Sequence, residues 1–180
     1  SFTFIFLFAI LTSVLALLWL NFRQDRAIKI SFNEVPEDFK ETITLEDHQK
    51  AGQYTQAKLL ANHFEIIFST IVLLIWTLGG AMNWLDIFWH ERISDPILLG
   101  TTFILSIMLI ASFIDLPFSI YRNFILEERF GFNRMTIKTF TGDLIKELIL
   151  TLALGMPLIY AILYLMNIST IGDYWWIYVW

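Results

Sequence analysis

Apolar and polar positions in this chain separate on the scale of tens of residues, not on the two-residue period of a strand. The runs 1–22, 66–85, 97–114 and 148–172 contain no Asp, Glu, Lys or Arg. A bilayer core about 30 Å thick needs roughly 20 apolar residues of helix, so each run is long enough for a span or close to it. A further apolar run, 174–180, opens a fifth. The pattern predicts an all-α fold, a polytopic membrane helical bundle of four complete transmembrane helices plus the start of a fifth. The first run ends on Trp19 and Asn21, an interfacial signature, and lacks the basic n-region and small-residue cleavage site of a signal peptide.

Basic residues orient the spans, because cytoplasmic loops carry an excess of Lys and Arg. The first connection holds Arg23, Arg26, Lys29, Lys40, Lys50 and Lys58, and the third holds Arg122, Arg129, Arg134, Lys138 and Lys146. The second has Arg92 alone and the fourth has none. The loops 21–65 and 115–147 are therefore expected in the cytoplasm, the N-terminus outside, and the chain beyond Trp180 in the cytoplasm.

Composition agrees: 180 residues are 57% hydrophobic, 17% aromatic and 16% charged, too few charges for the solvated surface of a soluble domain. The formal net charge of −5 gives no basic face, so nucleic acid is not an expected partner. With no cysteine, disulfides and thiolate metal sites are excluded. The start at Ser1 and the stop inside "DYWWIYVW" suggest a fragment.

The first connection is internally organised. Pro36 and the acids Glu34, Glu37, Asp38 and Glu41 precede "TLED", in which Thr44 can cap a helix and Asp47 can complete a capping box. Ala51, Tyr54, Ala57 or Lys58, Ala61 and Phe64 then fall at helical spacing with no proline ahead of the second span, although Gly52 weakens a helix by about 1 kcal/mol. An unbroken helix over 45–85 would be roughly 60 Å long, a pillar projecting into the cytoplasm. The alternative is an interfacial helix followed by a separate span.

The stretch "YRNFILEERFGFNRMT", 121–136, is more elaborate than a tether needs to be. Tyr121, Phe124 and Phe132 suit an interfacial anchor, Gly131 suits a turn with positive φ, and Asn133 can cap the next helix. On that helix Asp143 and Lys146 can pair at i,i+3. Asp115, near the cytoplasmic end of the third run, reads as an interfacial carboxylate ahead of a proton relay.

The stretch "YRNFILEERFGFNRMTIKTFTGDLIKELIL" resembles the signature of the N-terminal membrane region of the type I CAAX prenyl protease family, integral-membrane zinc metalloproteases. The matching residues are Tyr121, Phe124, Glu127, Glu128, Gly131, Phe132, Asn133, Thr136, Asp143 and Lys146. "VPEDFKETITLEDHQKAGQYTQAK" and "IGDYWWIYVW" are similar to two further patterns of the family, and "TLEDHQKAGQYTQAK" has a bacterial cast. The resemblance implies long helices around a chamber, closed by the protein's own C-terminal catalytic domain, with zinc in the parent protein and protein or peptide substrates. The bacterial cast implies an inner-membrane location and favours processing or quality control of membrane proteins over prenylated substrates. Residues 121–136 would be a cytoplasmic elbow whose charges meet partners in that later domain.

The catalytic chemistry itself is missing from these residues. An HExxH helix places two histidines at i and i+4 on one metal, with the glutamate as general base. The nearest match, "HERIS", has His90 and Glu91 but Ser94 in place of the second ligand, and lies on the non-cytoplasmic side by the charge pattern. His63 suits either a headgroup position or a chamber lining, and His48 sits in a solvated first turn. No catalytic or metal-binding residue is expected in the chain. The competing function is a transporter half or assembly scaffold, suggested by Asp115, the Gly79 and Gly80 pair and the proline-bearing spans around Pro117 and Pro157.

Overall fold

The computed structural model describes residues 2–168 together with 176 and 177, and among them contains helices and turns and no strand. The elements are α1 (Phe2–Ser31), α2 (Leu45–Thr77), α3 (Ala81–His90), α4 (Pro96–Ile120), α5 (Glu127–Phe130), α6 (Ile137–Leu150) and α7 (Met156–Asn167). A short 3-10 turn, Glu37–Phe39, interrupts the first connection. Two π-helical segments, Tyr121–Leu126 and Thr151–Gly155, join α4 to α5 and α6 to α7. Four continuous helical stretches among the described residues are long and apolar enough to cross a membrane: Phe2–Ser31, Leu45–Thr77, Pro96–Phe130 and Ile137–Asn167. The protein is a multi-pass membrane protein. The expected fifth span lies outside the described residues, apart from 176 and 177.

The chain divides into two units, Ser1–Gly79 with Tyr121–Asn133, and Gly80–Ile120 with Arg134–Trp180. In the first, α1 and α2 form an antiparallel pair. Thr44 caps α2 as its sequence foretells: its Oγ1 accepts the Asp47 N–H at 3.1 Å and donates to Asp47 Oδ2 at 2.7 Å. Gly52 has a packing reason, because a Cβ there would lie 3.3 Å from Ile28 Cγ2 and from the Phe32 ring. At the far end of α1, the carbonyl of Ser31 meets Nε2 of His48 at 2.8 Å.

The expected pillar over 45–85 is corrected. The helix ends at Thr77, Gly80 adopts φ +84°, and α3 begins at Ala81. Glycine alone takes that left-handed conformation cheaply, so the Leu78-Gly79-Gly80 sequence stops the helix inside an apolar run. The 33 residues of α2 therefore span about 50 Å, not 60 Å.

That stop has a consequence for depth. The apolar part of α2 beyond Glu65 rises only about 18 Å, short of a hydrocarbon core of about 30 Å. A crossing by α2 must include residues back to about Lys58, so Glu65 and His63 fall within the span or at its edge.

In the second unit, Asp95 Oδ1 accepts the Leu98 N–H at 2.7 Å and Pro96 occupies the first turn of α4, where its missing N–H costs nothing. Trp89 Nε1 donates to Ser106 Oγ at 3.0 Å, tying α3 to α4. α4 and α7 approach closely at Gly100, where a Cβ would meet Leu163 Cδ1 at 2.9 Å; next to it Thr101 is fully buried, its hydroxyl donating to the Ile97 carbonyl at 2.7 Å. Small residues that admit a neighbouring helix are the usual glue where lipid removes the hydrophobic driving force. The fourth predicted span, 148–172, is helical as far as Asn167 and widens into the π segment Thr151–Gly155, where the Pro157 ring would crowd the carbonyl four residues back; residues 169–172 lie outside the described residues.

Gly52 in α2 and Gly142 in α6 should behave oppositely. Gly142 has open space around its Cβ position, so Gly142→Ala should gain up to about 1 kcal/mol of helix propensity. Gly52→Val should lower stability by forcing α1 away. Thermal unfolding of the purified protein in detergent reads both shifts.

Candidate functional site

The signature residues from Tyr121 to Asn133 lie in the first unit with α2, whereas Thr136, Asp143 and Lys146 belong to the second. α4 continues into the π segment Tyr121–Leu126 and the single turn α5, which Gly131 closes with φ +75°. The Gly131 N–H donates to the Glu128 carbonyl at 3.0 Å and the Phe132 N–H to the Glu127 carbonyl at 2.9 Å. These two bonds make a Schellman motif, which satisfies the last carbonyls and reverses the chain. The expected positive φ of Gly131 is present.

Asn133 is a correction. It does not cap the next helix. Its Nδ2 donates to Glu128 Oε2 at 2.9 Å and its N–H to the Glu127 carbonyl at 3.3 Å, so it braces the turn instead. The cap is Thr136, in extended backbone, whose Oγ1 accepts the Thr139 N–H at 3.1 Å.

Above this turn stands α2. The Tyr54 ring packs edge-on against Phe130 at 5.4 Å and against Phe132 at 4.9 Å between centroids. Lys50 Nζ lies 5.4 Å from the centroid of Phe132, and Lys58 Nζ 5.3 Å from that of Tyr54. The stretch ending in "QKAGQYTQAK" and the stretch around "RFGFN" thus meet through edge-packed rings and lysines, although more than 70 positions apart in sequence.

The elbow also carries a fastening that sequence reasoning missed. Arg122 Nη1 donates to both carboxylate oxygens of Glu65, at 2.9 and 2.8 Å, with side chains 42% and 28% exposed. The expectation that the elbow's charges meet partners in a later domain is corrected for Arg122, which pairs inside this chain. A signal existed: Glu65 ends the polar part of one helix just where Arg122 begins the polar part of another. At a membrane boundary such charges are retained when they pair.

Of the remaining signature residues, Tyr121 is exposed and Phe124 and Glu127 half-buried in the π segment and α5. Asp143 and Lys146 pair at 3.1 Å on the exposed surface of α6 in the second unit, as their spacing predicts. Asp115 is exposed near the end of α4.

For a zinc ion, the described residues do not fit. Among them no group of three metal-ligating side chains converges. His63 Nδ1 lies 2.7 Å from the Leu59 carbonyl, and His90 Nδ1 3.0 Å from that of Asp86 and 3.2 Å from Asp86 Oδ1. These are local helix contacts.

Residues 24–180 match the family described as CAAX prenyl protease N-terminal, five membrane helices. The chain belongs to this family. It is 34% identical over 170 residues to the CAAX prenyl protease 1 homolog of Dictyostelium discoideum, covering 90% of this chain and 38% of that protein. It is also 34% identical over 163 residues to the homolog of Caenorhabditis elegans, covering 90% and 35%. The crystal structure of S. mikatae Ste24p superposes with a TM-score of 0.80 at 26% identity, over 94% of this chain and 40% of that one. The chain therefore spans less than two fifths of the length of these two curated relatives. In CAAX prenyl protease terms, the geometry above is that of an N-terminal membrane region in which the first connection holds the third.

Removing the ring that links the two motif stretches should be costlier than straining the turn. Tyr54→Ala loses both edge contacts, each worth about 0.5–1.5 kcal/mol, besides its buried area. Gly131→Ala meets no steric obstacle and should cost only the backbone conformation, about 1 kcal/mol. Chemical denaturation of the full-length protein, with amide exchange of 127–133 as the local readout, checks the order.

Proposed function

We propose that this chain is the membrane-embedded N-terminal portion of a zinc-dependent endopeptidase. It would supply part of the chamber wall and the anchor for a catalytic domain encoded downstream. The family match over 24–180 carries this reading. It rests further on the meeting of the two motif stretches at one elbow, a feature with more internal order than a loop between spans requires.

In this reading α1, α2 and the two later helical stretches anchor and wall the chamber, the loops 21–65 and 115–147 face the cytoplasm, and α2 stands out of the bilayer by roughly 20 Å. The elbow, which leaves Phe132 and Glu128 partly open to solvent, is the surface against which the catalytic domain seats. Zinc, held by an HExxH helix in that domain, would activate water for peptide hydrolysis. The relatives' name points to peptides bearing a C-terminal prenylated cysteine, and unmodified membrane proteins are the alternative substrate class.

Two measurements test this. The absence of cysteine permits single-cysteine labelling: a thiol introduced as Gln49→Cys should react from the cytoplasmic side and one introduced as Ser94→Cys from the opposite side. In the full-length protein, replacing the glutamate of the downstream HExxH by glutamine should abolish cleavage of a prenylated peptide or a membrane-protein substrate while leaving folding intact. A reading frame without that motif, or cleavage that survives the change, overturns the proposal.

A further inference from the structure

Between α1, α2 and the π segment of the first unit lies a cavity of about 340 Å³, lined in part by Asn21, Gln24, Tyr54, Lys58, Asn62 and Arg122. Its chemistry is lopsided. The only carboxylate lining it is Glu65, and both its oxygens accept from Arg122. Lys58 lines the same cavity; its ammonium rests on the Tyr54 ring and forms no ion pair among the described residues. Tyr54 supplies a hydroxyl, and the amides of Gln24 and Asn62 add further N–H groups.

Asn21 is the decisive member. It is 8% exposed, and its Nδ2 is buried with no hydrogen-bond partner. A buried amide donor left unpaired costs about 1–3 kcal/mol, and an acceptor entering the cavity, with a small turn of the Asn21 side chain, would recover it. The wall thus offers donors and one uncompensated cation, and lacks a free anion.

Depth narrows the source of that acceptor. Lys58 stands 19 residues along α2 from Thr77, where that helix ends. At about 1.5 Å per residue it is roughly 29 Å from the far end of its helix, the thickness of the hydrocarbon core. Asn21 lines the same cavity and follows Trp19 at the interfacial end of its apolar run, so both sit near the level of lipid phosphates.

We infer that this cavity is a phosphate site filled by the headgroup of an anionic phospholipid, with Lys58 as its charge partner and Asn21 as a hydrogen-bond donor to a phosphate oxygen. Bound there, the lipid would brace the elbow at the point where α1, α2 and the π segment diverge. A soluble phosphate could supply the same chemistry, so the test separates the two.

Full-length protein in a neutral detergent is titrated with short-chain phosphatidylglycerol, with the matching phosphatidylcholine, and with inorganic phosphate, and adducts are counted by native mass spectrometry. The site predicts that phosphatidylglycerol binds at least fivefold more tightly than phosphatidylcholine. Lys58→Gln should erase about fivefold of that affinity, and Asn21→Leu should weaken it as well, whereas Lys138→Gln on α6 should not. If Asn21→Leu fails to fold, Lys58→Gln, which is exposed, carries the test alone. Saturable binding of inorganic phosphate that Lys58→Gln abolishes, with no preference between lipids, would assign the site to a soluble phosphate and overturn the lipid source. Equal binding of both lipids without phosphate binding, or a preference unchanged in Lys58→Gln, would overturn the site altogether.

Discussion

The first unit depends on how a carboxylate is kept where α2 carries it. Because Gly80 ends the helix early, α2 can cross a bilayer only by taking Glu65 into the span. An unpaired charge there is expensive, and two hydrogen bonds from Arg122 resolve it. The pair joins the middle of one long helix to the end of another. With it in place, the π segment is held against α2, and the Schellman turn that follows is delivered to the Tyr54 ring.

The elbow is accordingly fastened by three different kinds of force. The ion pair sets depth, since neither charge can move into lipid without its partner. The rings of Tyr54, Phe130 and Phe132 set lateral position through area and edge-to-face geometry. The glycine turn sets direction, because its left-handed residue and two backbone bonds reverse the chain whatever the side chains do. In the proposed reading, a surface so constrained suits the seating of a further domain better than a loose connection would.

Much of this was legible in the sequence, for reasons that differ by element. The spans announce themselves because a charge-free run of about 20 residues has few alternatives to a membrane helix. Thr44 and Gly131 were readable because their roles are local, set by residues within a turn. Asn133 misled because it, like Thr136, can cap a helix, and only the backbone decides between two candidates three positions apart. The length of α2 misled because paired glycines in an apolar run are equally compatible with close helix packing and with a stop; the left-handed φ of Gly80 makes it a stop. The Glu65 and Arg122 pair, 57 positions apart, leaves no local trace, and only the coincidence of two polarity boundaries pointed to it.

That pair is the central fastening of the first unit, and a charge exchange tests it. In the full-length protein, Glu65→Arg and Arg122→Glu are made singly and together, and thermal stability is read alongside amide exchange of the π segment Tyr121–Leu126. Each single exchange sets two like charges against each other and should lower stability and speed exchange; the double exchange should reverse a large part of each change. A double variant no better than the sum of its singles would show that the two residues act independently and would contradict the account.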